Sequence, residues 1–199
     1  MNTKLSKLKK MKPIKDIYWI EVVKQTEDTF TLNGVEMYRD TSYDPMRLAR
    51  QFGTVYEVPI HNNLDIQKGD KIWFHHFVAT DANKVKYIDD KEVYQATRDQ
   101  IYLVERDGEM IPIGVWNFIK QERKEAEKTE SGIFLETSAS DVELHGHAVY
   151  INDWMKDQGV KKGDRVFFSE NSEYDMNING ESLLRMRNFD ILGVYEGAK

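Results

Sequence analysis

Lys68-Gly69-Asp70-Lys71-Ile72-Trp73-Phe74 and Lys162-Gly163-Asp164-Arg165-Val166-Phe167-Phe168 are nearly the same phrase written twice in a chain of 199 residues. Each is a glycine turn feeding a run of β-branched and aromatic residues, the composition that suits a half-buried strand. A turn-and-strand phrase repeated at domain length predicts one small β-unit built twice.

The repeat extends outward from these turns. Upstream, Lys12-Pro13-Ile14-Lys15-Asp16-Ile17-Tyr18-Trp19-Ile20 matches Ile111-Pro112-Ile113-Gly114-Val115-Trp116-Asn117-Phe118-Ile119, with proline at a strand start, where no ladder donor is needed. A polar stretch follows in each half, 25–33 before Gly34 and 121–131 before Gly132. A second strand is expected from Gly53 to Val58 and again from Gly146 to Ile151. Downstream, 87–94 and 177–184 each read as strand, turn and strand, and 99–105 and 189–196 close the halves. Helix is scarce. Residues 44–50 could start a short one, with Asp44 capping and Pro45 in its first position, whereas 123–130 has helix formers but no apolar face. Tyr18, Trp19, Trp73, Phe74, Trp116, Phe118, Phe167 and Phe168 are expected to be core. The fold class expected is all-β, two small barrels in tandem: a basic arm over 1–11, a first domain over 12–106 and a second over 110–199.

Composition removes several function classes. A net charge of −6 with a pI near 5.5 lacks the dominant basic field that phosphate binding needs, so no nucleic-acid partner is expected. The absence of cysteine excludes disulfides, thiolate zinc clusters and a thiol nucleophile, and fits a cytoplasmic location. Lys4, Lys7, Lys9, Lys10 and Lys12 lie in an arm with no apolar signal core behind it, and no apolar run approaches the ~20 residues of a membrane span. No membrane partner is expected.

In order and spacing these signals resemble the GroES family of co-chaperonins. The second half carries the resemblance best, through Pro112, Gly132-Ile133-Phe134-Leu135, Gly146, Val160 to Val166 and Asp190-Ile191-Leu192-Gly193-Val194. The first half carries it at 12–16, 66–72 and 88–93. Two departures stand out. The interval that forms a roof hairpin in the family is short here, 152–159 and 59–67, and tandem domains differ from the single-domain bacterial pattern.

The resemblance implies a non-enzymatic co-chaperonin that caps an ATP-bound GroEL-type chaperonin ring over an unfolded client protein and assists its folding. It implies a mobile loop with Gly132, Ile133, Phe134 and Leu135 as the chaperonin-binding residues. An apolar triplet between charged flanks suits such a role, because it has no evident burial site of its own. The rival reading of the triplet is a buried hairpin strand. In the first half, Gly34, Val35 and Met37 stand at the matching place as a degenerate loop, and Glu36 puts a charge in the apolar set that a groove would have to desolvate. Weak or no binding is expected there.

The resemblance further implies a homo-oligomeric ring in which the last strand of one subunit pairs with the first strand of its neighbour. The short link between the halves could make one such contact intramolecular. The rival function is a GroES-like assembly module that binds no chaperonin. No cofactor is expected. His145 and His147 alternate on a predicted strand at a spacing open to metal, and His75 and His76 are adjacent and expected to face oppositely, but no further ligand is visible at useful spacing. No metal site, paired catalytic carboxylates, serine nucleophile motif or phosphate-cradling loop is expected.

Overall fold

In the computed structural model the described residues are 11–23, 29–32, 35–38, 50–85, 88, 91–122, 144–170 and 174–195. They form a nearly all-β protein that divides into two compact units, 1–114 and 115–199, each with its own six-stranded antiparallel sheet.

The first unit begins with β1 (Ile17–Glu21), followed by β2 (Thr29–Leu32), β3 (Val35–Tyr38), β4 (Phe52–Glu57), β5 (Lys71–Phe74), β6 (Val93–Thr97), β7 (Ile101–Arg106) and β8 (Glu109–Pro112). Its sheet runs β6-β1-β4-β5-β7-β8, while β2 and β3 form a separate two-stranded ladder. The second unit contains β9 (Trp116–Gln121), β10 (His145–Tyr150), a one-turn helix α1 (Asp153–Asp157), β11 (Arg165–Phe168), β12 (Tyr174–Ile178), β13 (Glu181–Arg187) and β14 (Ile191–Val194), with sheet order β12-β13-β9-β10-β11-β14. Five strands therefore follow one order in both sheets, β6-β1-β4-β5-β7 in the first and β13-β9-β10-β11-β14 in the second.

The Lys-Gly-Asp turns fix this order through backbone hydrogen bonds. Val55 N donates to Asp70 O at 2.8 Å and Gly69 N to Val55 O at 2.9 Å; in the second unit Ala148 N donates to Asp164 O at 2.9 Å and Gly163 N to Ala148 O at 2.7 Å. Gly69 and Gly163 sit at φ 96° and 91°, a conformation that side chains with a Cβ rarely adopt. The Asp side chain closes each turn: Asp70 Oδ2 accepts from Gln67 N at 2.7 Å, and Asp164 Oδ2 from Lys161 N at 2.8 Å.

A second shared constraint is the close antiparallel approach of β4 to β1 and of β10 to β9. A Cβ on Gly53 would meet Glu21 O at 2.6 Å and Ile20 Cγ2 at 2.9 Å, and one on Gly146 would meet Lys120 O at 2.4 Å and Ile119 Cγ2 at 2.9 Å. Glycine is required for close backbone approach, and both ladders carry a register irregularity nearby.

Alternation fills the interiors. Tyr18, Ile20, Val55, Ile72, Phe74, Tyr94, Ala96, Ile101 and Val104 lie in the first core, joined by Ile113; Ile119, Ala148, Met155, Val166, Phe168, Leu184 and Met186 lie in the second. Of the expected core aromatics, Tyr18, Trp73, Phe74, Phe118 and Phe168 are buried, but Trp19 and Trp116 are only half-buried and Phe167 is exposed. The reason is the period of two in β11, which turns Phe167 outward between Val166 and Phe168.

The second unit also buries a polar network invisible in the linear pattern. Asn117 Nδ2 donates to Asn188 Oδ1 at 2.8 Å and Asn117 Oδ1 accepts from Asn152 N at 3.0 Å, while Asn152 Nδ2 donates to Asn188 Oδ1 at 2.7 Å. Asn152 Oδ1 in turn accepts from Met155 N at 3.0 Å and caps α1, which fills the short interval before the Lys-Gly-Asp turn.

The segment expected to open the second domain belongs to the first sheet. Asp107 and Gly108, at φ 52° and 82°, make a two-residue hairpin turn that folds β8 back on β7, pairing Leu103 with Pro112 and Val104 with Ile111. Of the possible helix start over 44–50 only Arg50 is among the described residues, and 123–130, with its helix formers but no apolar face, lies outside them.

Replacing Gly146 by alanine is expected to destabilise the chain by about 2 kcal/mol, because a backbone carbonyl cannot yield to the new methyl. A shift of the urea midpoint to lower denaturant checks this, with Gly53→Ala expected to behave alike.

Candidate functional site

The site begins where each sheet releases a long connection between two adjacent antiparallel strands. In the first unit β1 ends at Glu21 and β4 returns at Phe52; in the second, β9 ends at Gln121 and β10 returns at His145. Gly132, Ile133, Phe134 and Leu135 fall in the second connection, outside the described residues, as does Gly34 in the first. Val35 and Met37 are on β3, 62 % and 42 % exposed, and neither belongs to the core of its unit.

The two ends of the second connection are held together by charge. Glu122 follows β9 directly, and its N–H donates to His145 O at 3.1 Å. Its carboxylate receives a two-pronged hydrogen bond from Arg165 on β11, Nε to Oε1 and Nη2 to Oε2, both at 2.8 Å. His145 Nε2 lies 3.2 Å and His147 Nε2 3.0 Å from the same carboxylate. His147 Nδ1 meets Gly163 O at 3.2 Å, so the Lys-Gly-Asp turn supports the cluster from the other side. Arg165 also lies 4.7 Å over the ring of Tyr195, which packs edge-on to His145 and Phe167.

The two alternating histidines therefore share a face, as their spacing predicts, but they share it with a carboxylate already engaged by arginine. Among the described residues no group of three or more His, Cys, Asp or Glu could hold a metal ion. His75 and His76 correct the expectation that they face oppositely. They follow the end of β5 in a turn, where strand alternation does not apply, and their rings stack at 4.2 Å with Phe77 against both. The Glu122–Arg165 pair escaped the sequence reading because its partners are 43 positions apart. The one available signal was an arginine immediately after the second Lys-Gly-Asp turn.

The sheet edges differ between the units. In the first, β7 has β8 beyond it; in the second, the matching strand β14 ends the sheet, with Leu192 and Val194 exposed. At the other end of the chain Met11 and Ile14 are exposed as well.

The sequence profile of the family described as Chaperonin 10 Kd subunit matches residues 109–195. The chain is 39 % identical over 82 residues to a Co-chaperonin GroES of Parvibaculum lavamentivorans, covering 38 % of this chain and 78 % of that protein. It is 34 % identical over 87 residues to the Co-chaperonin GroES of Rhodothermus marinus, covering 41 % and 86 %. With the Co-chaperonin GroES of Desulfotalea psychrophila the identity is 38 % over 79 residues, covering 36 % and 83 %.

Arginine hydrogen bonding, then its charge and those of the two histidines, hold the Glu122 carboxyl below its ordinary value of 4.5 against a smaller opposing effect of burial. A depressed carboxyl stabilises the fold above its unfolded value and loses that stabilisation as pH falls through the folded one. Glu122→Gln is therefore expected to cost under about 1 kcal/mol at pH 7, since the pair is reached by solvent. It should flatten the loss of stability that the unaltered chain shows below pH 4.5. Urea midpoints of both proteins between pH 3 and pH 7 check the sign.

Proposed function

Because this chain belongs to the chaperonin 10 kDa family, whose GroES members it resembles over most of their length, we propose that it is a non-enzymatic co-chaperonin acting on a GroEL-type ring. The observation that carries this reading is a six-stranded sheet in which two adjacent antiparallel strands, β9 and β10, are joined by one long connection, with Ile133-Phe134-Leu135 inside that connection between charged flanks. Three apolar side chains of this kind contribute on the order of 5 kcal/mol gross when a groove covers them, before the cost of ordering the segment. Such a contact is weak singly and effective in numbers. The ATP-bound ring is its partner, and a client protein in the capped cavity is the beneficiary.

Repetition of contacts requires several copies. The two units act as tandem members of the family, and the covered edge of the first supplies a template for the bare edge of the second. Phe74 pairs with Ile101 as Phe168 pairs with Ile191, and Ile72 with Val104 as Val166 with Val194. By that correspondence, the residues opposite Gly193 and Val194 are Pro13 and Lys12 of a second copy, in the places that Pro112 and Ile111 take opposite Leu103 and Val104. Covering β14 in this head-to-tail manner removes an edge that would otherwise template aggregation. Repeated around an axis it closes a ring.

Ile133→Ser is expected to weaken ATP-dependent binding to a GroEL-type ring at least tenfold while leaving the circular dichroism spectrum unchanged. Equal binding by the variant would remove the triplet from the interface. A chain lacking residues 1–12 should lose its oligomers in native mass spectrometry and keep its folded signature. An absence of any ATP-dependent complex would favour an assembly module that serves no chaperonin.

A further inference from the structure

The second sheet carries an alternating stack of aromatic rings and guanidinium groups on the side opposite its core. In the β12–β13 ladder Tyr174 pairs with Arg185, and in the β13–β9 ladder Arg187 pairs with Trp116. Positions two apart on a strand share a face, so Arg185 and Arg187 stand together on β13, away from the core residues Leu184 and Met186. The Arg185 guanidinium lies 4.5 Å from the ring centre of Tyr174 and 4.4 Å from that of Trp116, and Arg187 lies 5.3 Å from Trp116 and 5.6 Å from Phe189. All four contacts fall within the reach of a cation–π interaction. The stack opens to solvent at one end, where Arg187 is exposed and Phe189 is 68 % exposed.

The shared fold does not require this stack. Ile17 pairs with Thr97 in the first unit as Trp116 pairs with Arg187 in the second, and Trp19 with Gln95 as Phe118 with Arg185. Arg98 N donates to Asp16 O as Asn188 N donates to Val115 O, which makes Asp99 the counterpart of Phe189. The first unit thus closes the same five-strand order with Gln95, Thr97 and Asp99 in the places of Arg185, Arg187 and Phe189. The acid next to the stack is already used, since Asp190 Oδ2 accepts from the backbone N–H of Arg187 at 3.1 Å. Among the described residues no carboxylate pairs with the Arg187 side chain.

We infer that the Trp116, Arg187 and Phe189 end of this stack is an interaction surface and that its occupant is an extended acidic segment of another polypeptide, with a carboxylate on Arg187 and apolar side chains against Phe189. Charge complementarity selects the carboxylate. Aromatic rings use the flat face of a guanidinium and leave its N–H fork, which matches a carboxylate through two parallel hydrogen bonds. Arginine beside tryptophan and a second aromatic residue is the composition that concentrates binding energy at protein interfaces. Nucleic acid also presents anions, but a polyanion needs a dominant basic field, and two arginines on a chain of net charge −6 do not make one. A carboxylate beside apolar side chains needs only the single fork. The surface lies at the start of β9, whereas the connection that contains Ile133-Phe134-Leu135 leaves after the end of that strand, so the inference does not depend on the proposed chaperonin contact.

The test uses the full chain and three fluorescent probes: a short unstructured peptide of glutamate, leucine and serine, the same peptide with glutamine for glutamate, and a short oligothymidylate. Anisotropy titrations are expected to show the glutamate peptide binding at least fivefold more tightly than the other two. Arg187→Thr and Phe189→Asp install the residues that the first unit carries at the same places, and each should weaken that binding at least fivefold with an unchanged urea midpoint. Equal binding of the glutamate and glutamine peptides, or undiminished binding by Arg187→Thr, overturns the inference. Preferential capture of the oligothymidylate overturns it in favour of a phosphate-binding surface. A photo-crosslinking copy of the glutamate peptide needs no variant: its attachment to the unaltered chain should map around Trp116, Arg187 and Phe189, and attachment confined to other segments, or none, also overturns the inference.

Discussion

Everything in each unit depends on the backbone exchange between the Lys-Gly-Asp turn and the strand it follows, Val55 with Asp70 and Gly69 in one case, Ala148 with Asp164 and Gly163 in the other. A left-handed glycine lets the turn lie against β4 or β10, and the aspartate carboxylate satisfies the turn's own N–H groups. Once that corner is made, β5 must pair with β4 and β11 with β10. The same corner leaves the paired ends of β1 with β4, and of β9 with β10, as the place where the chain departs on a long excursion. The connections from β1 to β4 and from β9 to β10 are those excursions, so both units release them at the same place in the strand order.

The second organising fact is the treatment of sheet edges. A strand end with free N–H and C=O groups invites another chain. The first unit answers with a two-residue turn and its own following strand, so that β8 covers β7 within one chain. In the second unit β14 is the outermost strand among the described residues, and its edge carries exposed Leu192 and Val194. Among the described residues one polypeptide thus shows a covered edge at β7 and an outermost edge at β14 in the same place of the strand order.

Charge placement matters through geometry more than through sequence order. Glu36 stands between Val35 and Met37 in the sequence, and the β2–β3 ladder pairs its position with that of Thr31. Glu122 is the clearer case. It looks like one acid among many in a polar stretch, yet the folding of β9, β10 and β11 brings Arg165, His145 and His147 around it. The carboxylate ties together the two strand ends from which residues 123–143 depart.

The sequence by itself determined the parts that rest on local chemistry: the paired glycine turns, the prolines before the first strands, the strands with β-branched and aromatic alternation, and the glycines at 53 and 146. Each of these follows from a backbone preference or a side-chain period that acts within a few residues. Only the tertiary structure decided what depends on distant partners. It assigned β8 to the first sheet, because the turn at Asp107 and Gly108 reverses the chain. It turned Phe167 outward, and it assembled the buried network of Asn117, Asn152 and Asn188. It also surrounded Glu122 with three cationic or protonatable groups. The physical reason is the same throughout: a residue's type fixes what it can bond, whereas the closing of the sheet fixes which partners stand within reach.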